Sequence, residues 1–238
     1  GGHVSEIVVA VIPAKQFSAR LPGKNMADIC GKPLIEWSFI QAAACKEITY
    51  TVFVTDDGEM ADLARQYTPL IVMQDPARTL PAVANGWTAT IEGLDLIKRE
   101  VGEPDVLISM LPTSPLKKPC DLKNIIWAFR KWRASRGVKL VLPSVRFHEI
   151  TLAMDLGNGQ MCRVLANWTG TRRWMNSTLG WCACSVAAYR STMDTTLLDD
   201  PQIFMEVERW QGFDVDTEID LELVRAMFRK YIIEAGGY

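Results

Sequence analysis

The stretch from residue 7 to residue 33 constrains the fold more than any other part of the chain. It opens with an apolar run rich in β-branched residues, 7–12, which is typical of a strand buried on both faces of a parallel sheet. Pro13 is expected to end the strand pairing, because proline has no N–H to donate. From there to Pro33 the sequence has neither a helical nor a strand period. We therefore expect a buried first strand that leads directly into an irregular loop.

This loop is basic and is punctuated by glycine and proline. Its cations are Lys15, Arg20, Lys24 and Lys32. A buried strand followed by a basic, glycine-containing loop is where α/β proteins commonly hold phosphates, because backbone N–H groups approach the anion and cations neutralise it. The alternative is a solvated surface loop that happens to be basic. The glycines match neither the dinucleotide-binding fingerprint nor the P-loop, so we expect neither of those sites.

Apolar runs and amphipathic stretches alternate along the rest of the chain. Predicted strands cover residues 51–55, 70–73, 105–111, 138–145, 181–186 and 212–216. Predicted helices cover residues 33–45, 58–67, 82–101, 119–135 and 217–231. Strands that alternate with helices predict an α/β fold with a mostly parallel sheet flanked by helices. Thr217 and Asp220 have the spacing of a capping box at the start of the last helix.

Residues 147–180 interrupt this alternation. Gly157-Asn158-Gly159 is typical of a hairpin turn, and Trp168 and Trp174 follow it. We interpret the segment as a protruding arm inserted into a single domain, residues 4–238. An insertion without a role of its own is the alternative.

Composition limits the classes of function. The 238 residues suit one domain, and 48% hydrophobic residues suffice for a sizeable core. The net charge of −2 favours neither nucleic acid nor an anionic membrane as partner. No apolar run has the length of a bilayer span, and no signal peptide is evident. Six cysteines without a Cys-x-x-Cys pair, and two histidines, predict reduced thiols, no structural zinc and a cytoplasmic location.

Five motifs carry a resemblance to a known family. The string IPAKQFSARLPGKN resembles the opening motif of the CMP-sugar synthetases, the acylneuraminate and keto-deoxyoctulosonate cytidylyltransferases. The resemblance continues in GKPLIEWSFIQAA, VTDD, LPTSPLK and FDVDTEIDLELV, in that order. It spans most of the chain and implies a Rossmann-like nucleotidyltransferase fold with a protruding dimerisation arm, and hence a homodimer.

The resemblance also implies a reaction. It is the transfer of CMP from CTP to the anomeric hydroxyl of an acidic 2-keto-3-deoxy sugar, a sialic acid-like nonulosonate, with release of pyrophosphate. The catalytic phosphate-holding residues implied by the motif are Lys15, Arg20 and Lys24. The implied nucleotide-binding set is Ala14, Lys15, Ser18, Arg20, Lys24, Asn25, Thr113 and Ser114. Thr113 and Ser114 bond the ribose or base, or simply shape the turn.

Asp214 and Asp216 are the candidate metal ligands. In a strand, residues two apart point the same way, so both carboxylates are expected to face one site. Adjacent carboxylates repel unless a cation bridges them, and Mg²⁺ prefers a few carboxylates together with phosphate oxygens. In the resembled family the matching residues hold the metal. The alternative is that these residues only cap the following helix.

Several positions depart from the family pattern. Lys15 stands where the family has Arg, and Leu111 replaces a Gln that helps to read the base. Ala19 and Gln74 also differ, and the sugar-side motif is degraded to Asn176-Ser-Thr-Leu-Gly180. On the sugar side we expect contacts from His148, Arg172 and Arg173. The alternative for the two arginines is that they lie in solvent.

These departures leave two other functions open. The loss of the base-reading Gln allows a nucleotidyltransferase that uses another nucleotide or acceptor. The changes at Lys15 and Ala19 allow a non-catalytic homologue that binds nucleotide or only assembles. The Asp214/Asp216 pair argues against the second alternative, because a binding module has no need of metal ligands.

Overall fold

A computed structural model describes residues 6–79, 86–147, 152–155, 161–164, 174–176, 181–191 and 202–237. Twelve strands are described: β1 Val8–Ala14, β2 Asp28–Ile29, β3 Lys32–Pro33, β4 Tyr50–Thr55, β5 Ile71–Met73, β6 Val106–Met110, β7 Leu140–Phe147, β8 Leu152–Asp155, β9 Met161–Val164, β10 Trp174–Asn176, β11 Trp181–Cys184 and β12 Gln202–Glu206. Seven α-helices are described: α1 Leu34–Ala44, α2 Gly58–Ala64, α3 Pro76–Thr79, α4 Gly86–Glu100, α5 Pro119–Arg136, α6 Val186–Ser191 and α7 Glu218–Phe228. Short 3₁₀ turns cover Lys24–Met26 and Arg209–Gly212, and a π-helical turn covers Arg229–Ile233.

Eight strands form the main sheet. Their order is β10-β7-β11-β6-β1-β4-β5, with β12 also paired to β7. The pairs β6–β1, β1–β4, β4–β5 and β7–β12 are parallel, whereas β11 and β10 run antiparallel to their neighbours. The predicted α/β fold with a mostly parallel sheet is confirmed.

Strand β1 lies near the middle of the sheet and is buried along its whole length. Val8, Ala10 and Ile12 contribute to the core on the face covered by α1, α2 and α5. Val9 and Val11 contribute to the core on the other face, covered by α4 and α6. This two-sided burial explains why the strand is a continuous apolar run rather than an alternating one.

Pro13 does not end the strand, contrary to our expectation. Pairing of β1 with β6 stops at Val11, but pairing with β4 continues through Pro13 to Ala14. A proline removes one donor, and a strand with a neighbour on each side loses a bond to only one of them. The first strand therefore reaches Ala14 and delivers the basic loop at the edge of the sheet.

Residues 213–215 are not a strand either. They form an extended coil with a single backbone hydrogen bond to the sheet side, from Val215 N to the Thr113 carbonyl at 2.8 Å. The last strand of the sheet is instead β12, which was not predicted. Asp216 begins the helix cap, because its N–H donates to Asp220 Oδ2 at 3.2 Å, and this prevents a sheet ladder from forming there.

The predicted start of the last helix is confirmed. Thr217 is the N-cap of α7 and forms the capping box with Asp220. The helix packs Leu221, Val224 and Phe228 against the loop that holds Val215 and against α1. Helix α7 thus fixes the coil that carries Asp214 and Asp216, which we call the acid pair.

Strands β8 and β9 form an antiparallel hairpin on either side of the predicted Gly157–Gly159 turn. The turn itself and Trp168 lie outside the described residues. The expected role of residues 147–180 in dimerisation stays a prediction. Within the part of the chain that is described, no helix has the length and apolarity to cross a membrane.

Helix α4 approaches the sheet at Gly93. A Cβ atom built on Gly93 would lie 2.7 Å from Val11 Cγ1, 3.1 Å from Val54 Cγ2 and 3.3 Å from Val52 Cγ1. The first of these separations is too short for real carbon atoms. The missing side chain therefore lets the helix lie directly on β1 and β4.

We predict that Gly93→Ala destabilises the protein. Overpacking a core costs ~1–3 kcal/mol, and the higher helix propensity of alanine offsets only about 1 kcal/mol of that. Gly58→Ala is the matched control, because a Cβ at Gly58 in α2 meets nothing within 4 Å. Urea unfolding should show a lower free energy of unfolding for Gly93→Ala alone. Equal stability of the two variants would contradict the close approach.

Candidate functional site

A cavity of about 360 Å³ opens at the carboxyl ends of β1, β5 and β6. We call it the edge pocket. Its lining residues are Pro13, Ala14, Lys15, Arg20, Lys24, Asn25, Gln74, Ala89, Leu111, Pro112, Thr113, Asp214 and Asp216. From β1 the chain passes to β4 on one side and later to β6 on the other, so the pocket lies at a topological switch point. Ligands of open α/β sheets bind at such points.

The basic loop approaches the acidic coil within the edge pocket. Lys24 Nζ lies 3.2 Å from Asp216 Oδ1, and Arg20 Nη1 lies 3.0 Å from Asp216 Oδ2. Lys24 also donates to the Val215 carbonyl at 3.1 Å. The Lys24 side chain is only 15% exposed, whereas that of Arg20 is 69% exposed. Lys24 therefore fastens the two segments together, and Arg20 reaches the acid from solvent.

Asn25 fixes the loop rather than projecting freely into the pocket. Its Nδ2 donates to the Lys15 carbonyl at 3.0 Å, and its side chain is nearly buried. A second bond runs from Gln16 N to Asp56 Oδ1 at 2.7 Å. These two bonds hold the backbone on either side of the Lys15 side chain, which is exposed at the pocket rim.

Asp214 is positioned by the turn that follows β6. Ser114 Oγ donates to Asp214 Oδ1 at 2.9 Å, and Ser114 itself is buried. The Val215 N–H bond to the Thr113 carbonyl joins the same turn to the coil. Asp214 and Asp216 thus face one pocket although they are not in a strand.

Lys117 is a fully buried lysine behind this turn. Its Nζ donates to the Ser114 carbonyl at 2.7 Å. Burial lowers the pKa of Lys117 to about 7, and the negative charge of Asp214 opposes that shift. A lysine is rarely this buried without a specific role, and here it supports the residue that holds Asp214.

Neighbouring carbonyls of the turn also have buried donors. Gln41 Nε2 donates to the Pro115 carbonyl at 2.6 Å, and Gln211 Nε2 donates to the Leu116 carbonyl at 3.1 Å. Gln211 also bonds Asp121 Oδ2 at 2.6 Å. Desolvation by burial raises the pKa of Asp121. The turn is thus fixed by side chains from three different parts of the chain.

The donor set suits a magnesium ion that shares its coordination with phosphates. Among the described residues no group of three or more His, Cys, Asp or Glu side chains is arranged to hold a metal. Two carboxylates are nevertheless sufficient for Mg²⁺, which binds one or two of them and takes other oxygens from water and substrate. Arg20 and Lys24 already stand beside Asp216, which shows that this carboxylate lies where a cation is accepted.

The structure brings most of the predicted residues together. Lining the edge pocket are Ala14, Lys15, Arg20, Lys24, Asn25, Thr113, Asp214 and Asp216. Ser18 and Ser114 do not line it, and Ser114 acts through Asp214. The predicted sugar-side residues His148, Arg172 and Arg173 lie outside the described residues. Their contacts stay predictions.

Two residues of this region, Gln74 and Lys117, were not predicted from the sequence to be functional. Gln74 follows β5 directly, lines the pocket and donates from Nε2 to Glu92 Oε2 at 2.8 Å. The place of Gln74 directly after a predicted strand was the available indication. Lys117 had no such indication, because consecutive lysines before a helix normally suggest a solvated start.

Comparison with known proteins gives this pocket a family context. The sequence profile of a family described as Cytidylyltransferase matches residues 9–157. A "CMP-N,N'-diacetyllegionaminic acid synthase" of Legionella pneumophila is 34% identical over 125 residues, which are 50% of this chain and 51% of that protein. A "3-deoxy-manno-octulosonate cytidylyltransferase" of Maricaulis maris is 30% identical over 155 residues, 64% of this chain and 56% of that protein. The chain spans about half the length of the curated relatives it matches.

Solved structures share the fold. A CMP:2-keto-3-deoxy-manno-octonic acid synthetase complexed with CTP superposes with a TM-score of 0.73 at 19% identity, covering 95% of this chain and 100% of that one. A 4-diphosphocytidyl-2C-methyl-D-erythritol synthase from Anaerococcus prevotii has a TM-score of 0.63 at 15% identity, covering 94% of this chain and 99% of that one. At these identities the likeness concerns the fold.

We predict that Lys117 makes stability depend on pH. The unfolded chain holds the Lys117 proton up to its ordinary pKa of 10.5, whereas the folded protein releases it near pH 7. Between these values the unfolded state binds more protons, so the folded protein gains stability as pH rises, by up to ~1.4 kcal/mol per pH unit. Lys117→Met keeps the buried chain and removes this gain.

Urea unfolding at pH 7, 8 and 9 in chelator should therefore show the parent becoming more stable relative to Lys117→Met as pH rises. Lys46→Met is the control, because Lys46 is exposed at the end of α1. Parallel curves for the parent and Lys117→Met would mean that this ammonium group is not desolvated.

Proposed function

The chain belongs to the cytidylyltransferase family, and from that premise we propose that it transfers CMP from CTP to the anomeric hydroxyl of an acidic 2-keto-3-deoxy sugar, releasing pyrophosphate. The observation that carries this proposal is the edge pocket, where Lys15, Arg20 and Lys24 face the Asp214/Asp216 pair at the switch point of the sheet. Cations and metal-binding carboxylates side by side suit a triphosphate better than a neutral ligand.

Nucleotidyl transfer asks for alignment and charge neutralisation more than for covalent help from the protein. The anomeric oxygen forms a bond to the α-phosphorus, the bond to the pyrophosphate oxygen breaks, and the hydroxyl proton passes to solvent. Lys15, Arg20 and Lys24 neutralise the triphosphate before and during this exchange. Asn25 keeps the loop backbone at Lys15 in place through its bond to the Lys15 carbonyl.

Asp214 and Asp216 are the residues that would hold Mg²⁺. When bound, this ion would supply electrostatic polarisation of the phosphate. Ser114 orients Asp214 through its hydroxyl. Gln74, Ala89 and Leu111 line the other part of the pocket, and we assign them to the nucleoside.

We propose a sialic acid-like nonulosonate as the acceptor. The name of the Legionella relative, which refers to a legionaminic acid, supports this choice. The octulosonates in the names of other relatives are the competing acceptors. His148, Arg172 and Arg173 are the candidate contacts to the sugar, and an arginine is suited to grip a carboxylate with two hydrogen bonds.

Pyrophosphate release is the direct test of this function. The protein is incubated with Mg²⁺, each of the four nucleoside triphosphates in turn, and a panel of nonulosonates and octulosonates. We expect release only with CTP together with an acidic sugar. Release with another nucleotide would replace cytidylyl transfer by a different transfer, and no release with any pair would favour the non-catalytic alternative.

The same assay tests the acid pair. Asp214→Asn and Asp216→Asn should each abolish turnover, as should a chelator added to the parent, because charge on both carboxylates is needed for the metal. Asp62→Asn is the matched control, since Asp62 is 74% exposed and, among the residues that the structure describes, pairs only with Arg65 at the end of α2. Near-normal turnover in either site variant would reduce that residue to a structural role.

A separate prediction concerns Lys15, which stands where the motif of the resembled family has arginine. A charge-assisted contact to phosphate is worth ~1.5–3 kcal/mol, so Lys15→Ala should lower kcat/KM about ten- to a hundredfold. Lys15→Arg should stay within several-fold of the parent, because it keeps the charge and adds a planar fork. Steady-state kinetics with varied CTP measures both. Unchanged kinetics in Lys15→Ala would exclude this lysine as a phosphate ligand.

A further inference from the structure

We propose that the free protein keeps divalent metal off its acid pair by internal ion pairing, and that nucleotide phosphate releases the pair for metal. This inference rests on the proposed function and concerns how the same site is controlled. It is carried by the contacts of Asp216, whose side chain is 34% exposed and forms two ion pairs.

Both oxygens of Asp216 are already engaged. Lys24 Nζ takes Oδ1 and Arg20 Nη1 takes Oδ2. A metal ion entering this site therefore competes with both cations for the Asp216 oxygens. The positive charges of Arg20 and Lys24 also balance the negative charges of Asp214 and Asp216. The free site therefore exerts little net attraction on a divalent ion.

Arg20 and Lys24 are held with different strengths. Arg20 is largely solvent-exposed, and an exposed ion pair contributes little to stability. Lys24 is mostly buried and has a second acceptor in the Val215 carbonyl. Arg20 is therefore the cation that exchanges, and Lys24 stays near the coil.

A triphosphate changes this balance. It carries several negative charges and offers Arg20 a stronger acceptor than one carboxylate oxygen. Transfer of Arg20 to phosphate uncovers Asp216 Oδ2 beside new phosphate oxygens, and that is the mixed ligand set that Mg²⁺ prefers. Nucleotide and metal binding are then positively coupled, and the coupling is reciprocal.

Manganese binding to the protein without nucleotide tests the locked state. Mn²⁺ is titrated and followed by its paramagnetic resonance signal. The parent should bind it only weakly, in roughly the millimolar range of weak carboxylate sites. Arg20→Gln should bind it about twofold to fivefold more tightly, since one competing charge is gone from an exposed pair.

Two controls tie this gain to Asp216. Arg65→Gln removes an exposed arginine that pairs with Asp62 on α2, and it should leave Mn²⁺ binding at the parent level. The double variant Arg20→Gln/Asp216→Asn should lose the gain. Micromolar binding of Mn²⁺ by the parent, or equal affinities of the parent and Arg20→Gln, would overturn the proposal.

CTP binding to Asp216→Asn provides a second test, because the CTP affinity of this variant should change in opposite directions without and with Mg²⁺. In chelator this variant should bind CTP more tightly than the parent, because Arg20 no longer has to leave a carboxylate. With Mg²⁺ it should bind CTP more weakly, because a metal ligand is lost. Calorimetry that shows the CTP affinity of Asp216→Asn changed in the same direction, relative to the parent, in chelator and with Mg²⁺ would overturn the proposed exchange. Failure of the parent to bind CTP at all would instead count against the proposed function, and the Mn²⁺ result would still decide the inference.

Discussion

The position of the acid pair depends on buried hydrogen bonds to a turn, since the coil that carries the pair has no sheet ladder. The coil is joined to the turn after β6 by the Val215 N–H bond to the Thr113 carbonyl and by the Ser114 bond to Asp214. A buried polar group that loses its partner costs free energy, so each of these bonds also restrains its neighbours. An irregular segment can in this way be held as firmly as a strand.

Holding the turn in this way requires the burial of one ammonium group, that of Lys117. Burying an ammonium group is unfavourable, and the lowered pKa of Lys117 reflects that cost. A hydrophobic residue of similar size would fill the space without the penalty, but it would leave the Ser114 carbonyl without the donor that it now has. The lysine therefore supports the orientation of Ser114, and through it that of Asp214.

The parts of the fold that follow from local apolar pattern were predictable from the sequence. The runs that became β1, β4 and β6 are buried on both faces, and no other element type suits them. The string at 212–216 instead alternates apolar and acidic residues as a half-buried strand would, but Asp216 is drawn into the cap of α7 and the coil never pairs. Strand β12 was missed because its glutamate and glutamine termini hide a short apolar centre.

The candidate site was predictable only in part, and for a physical reason. Lys15, Arg20 and Lys24 stand out because their loop follows a buried strand directly, and the edge of a parallel sheet is fixed by chain direction. Gln74 acquires its role from a contact with Glu92, which is distant in sequence. Lys117 acquires its role from a contact with Ser114, and its sequence context predicted exposure whereas the side chain is buried.

The two carboxylates also differ in their contacts. Asp214 is bound to a buried hydroxyl, which fixes its geometry, whereas Asp216 is paired with the mostly buried Lys24 and with the exposed Arg20, which we propose is attracted away by phosphate. A site built in this way keeps one carboxylate in place and leaves the other to respond to the charge of what enters.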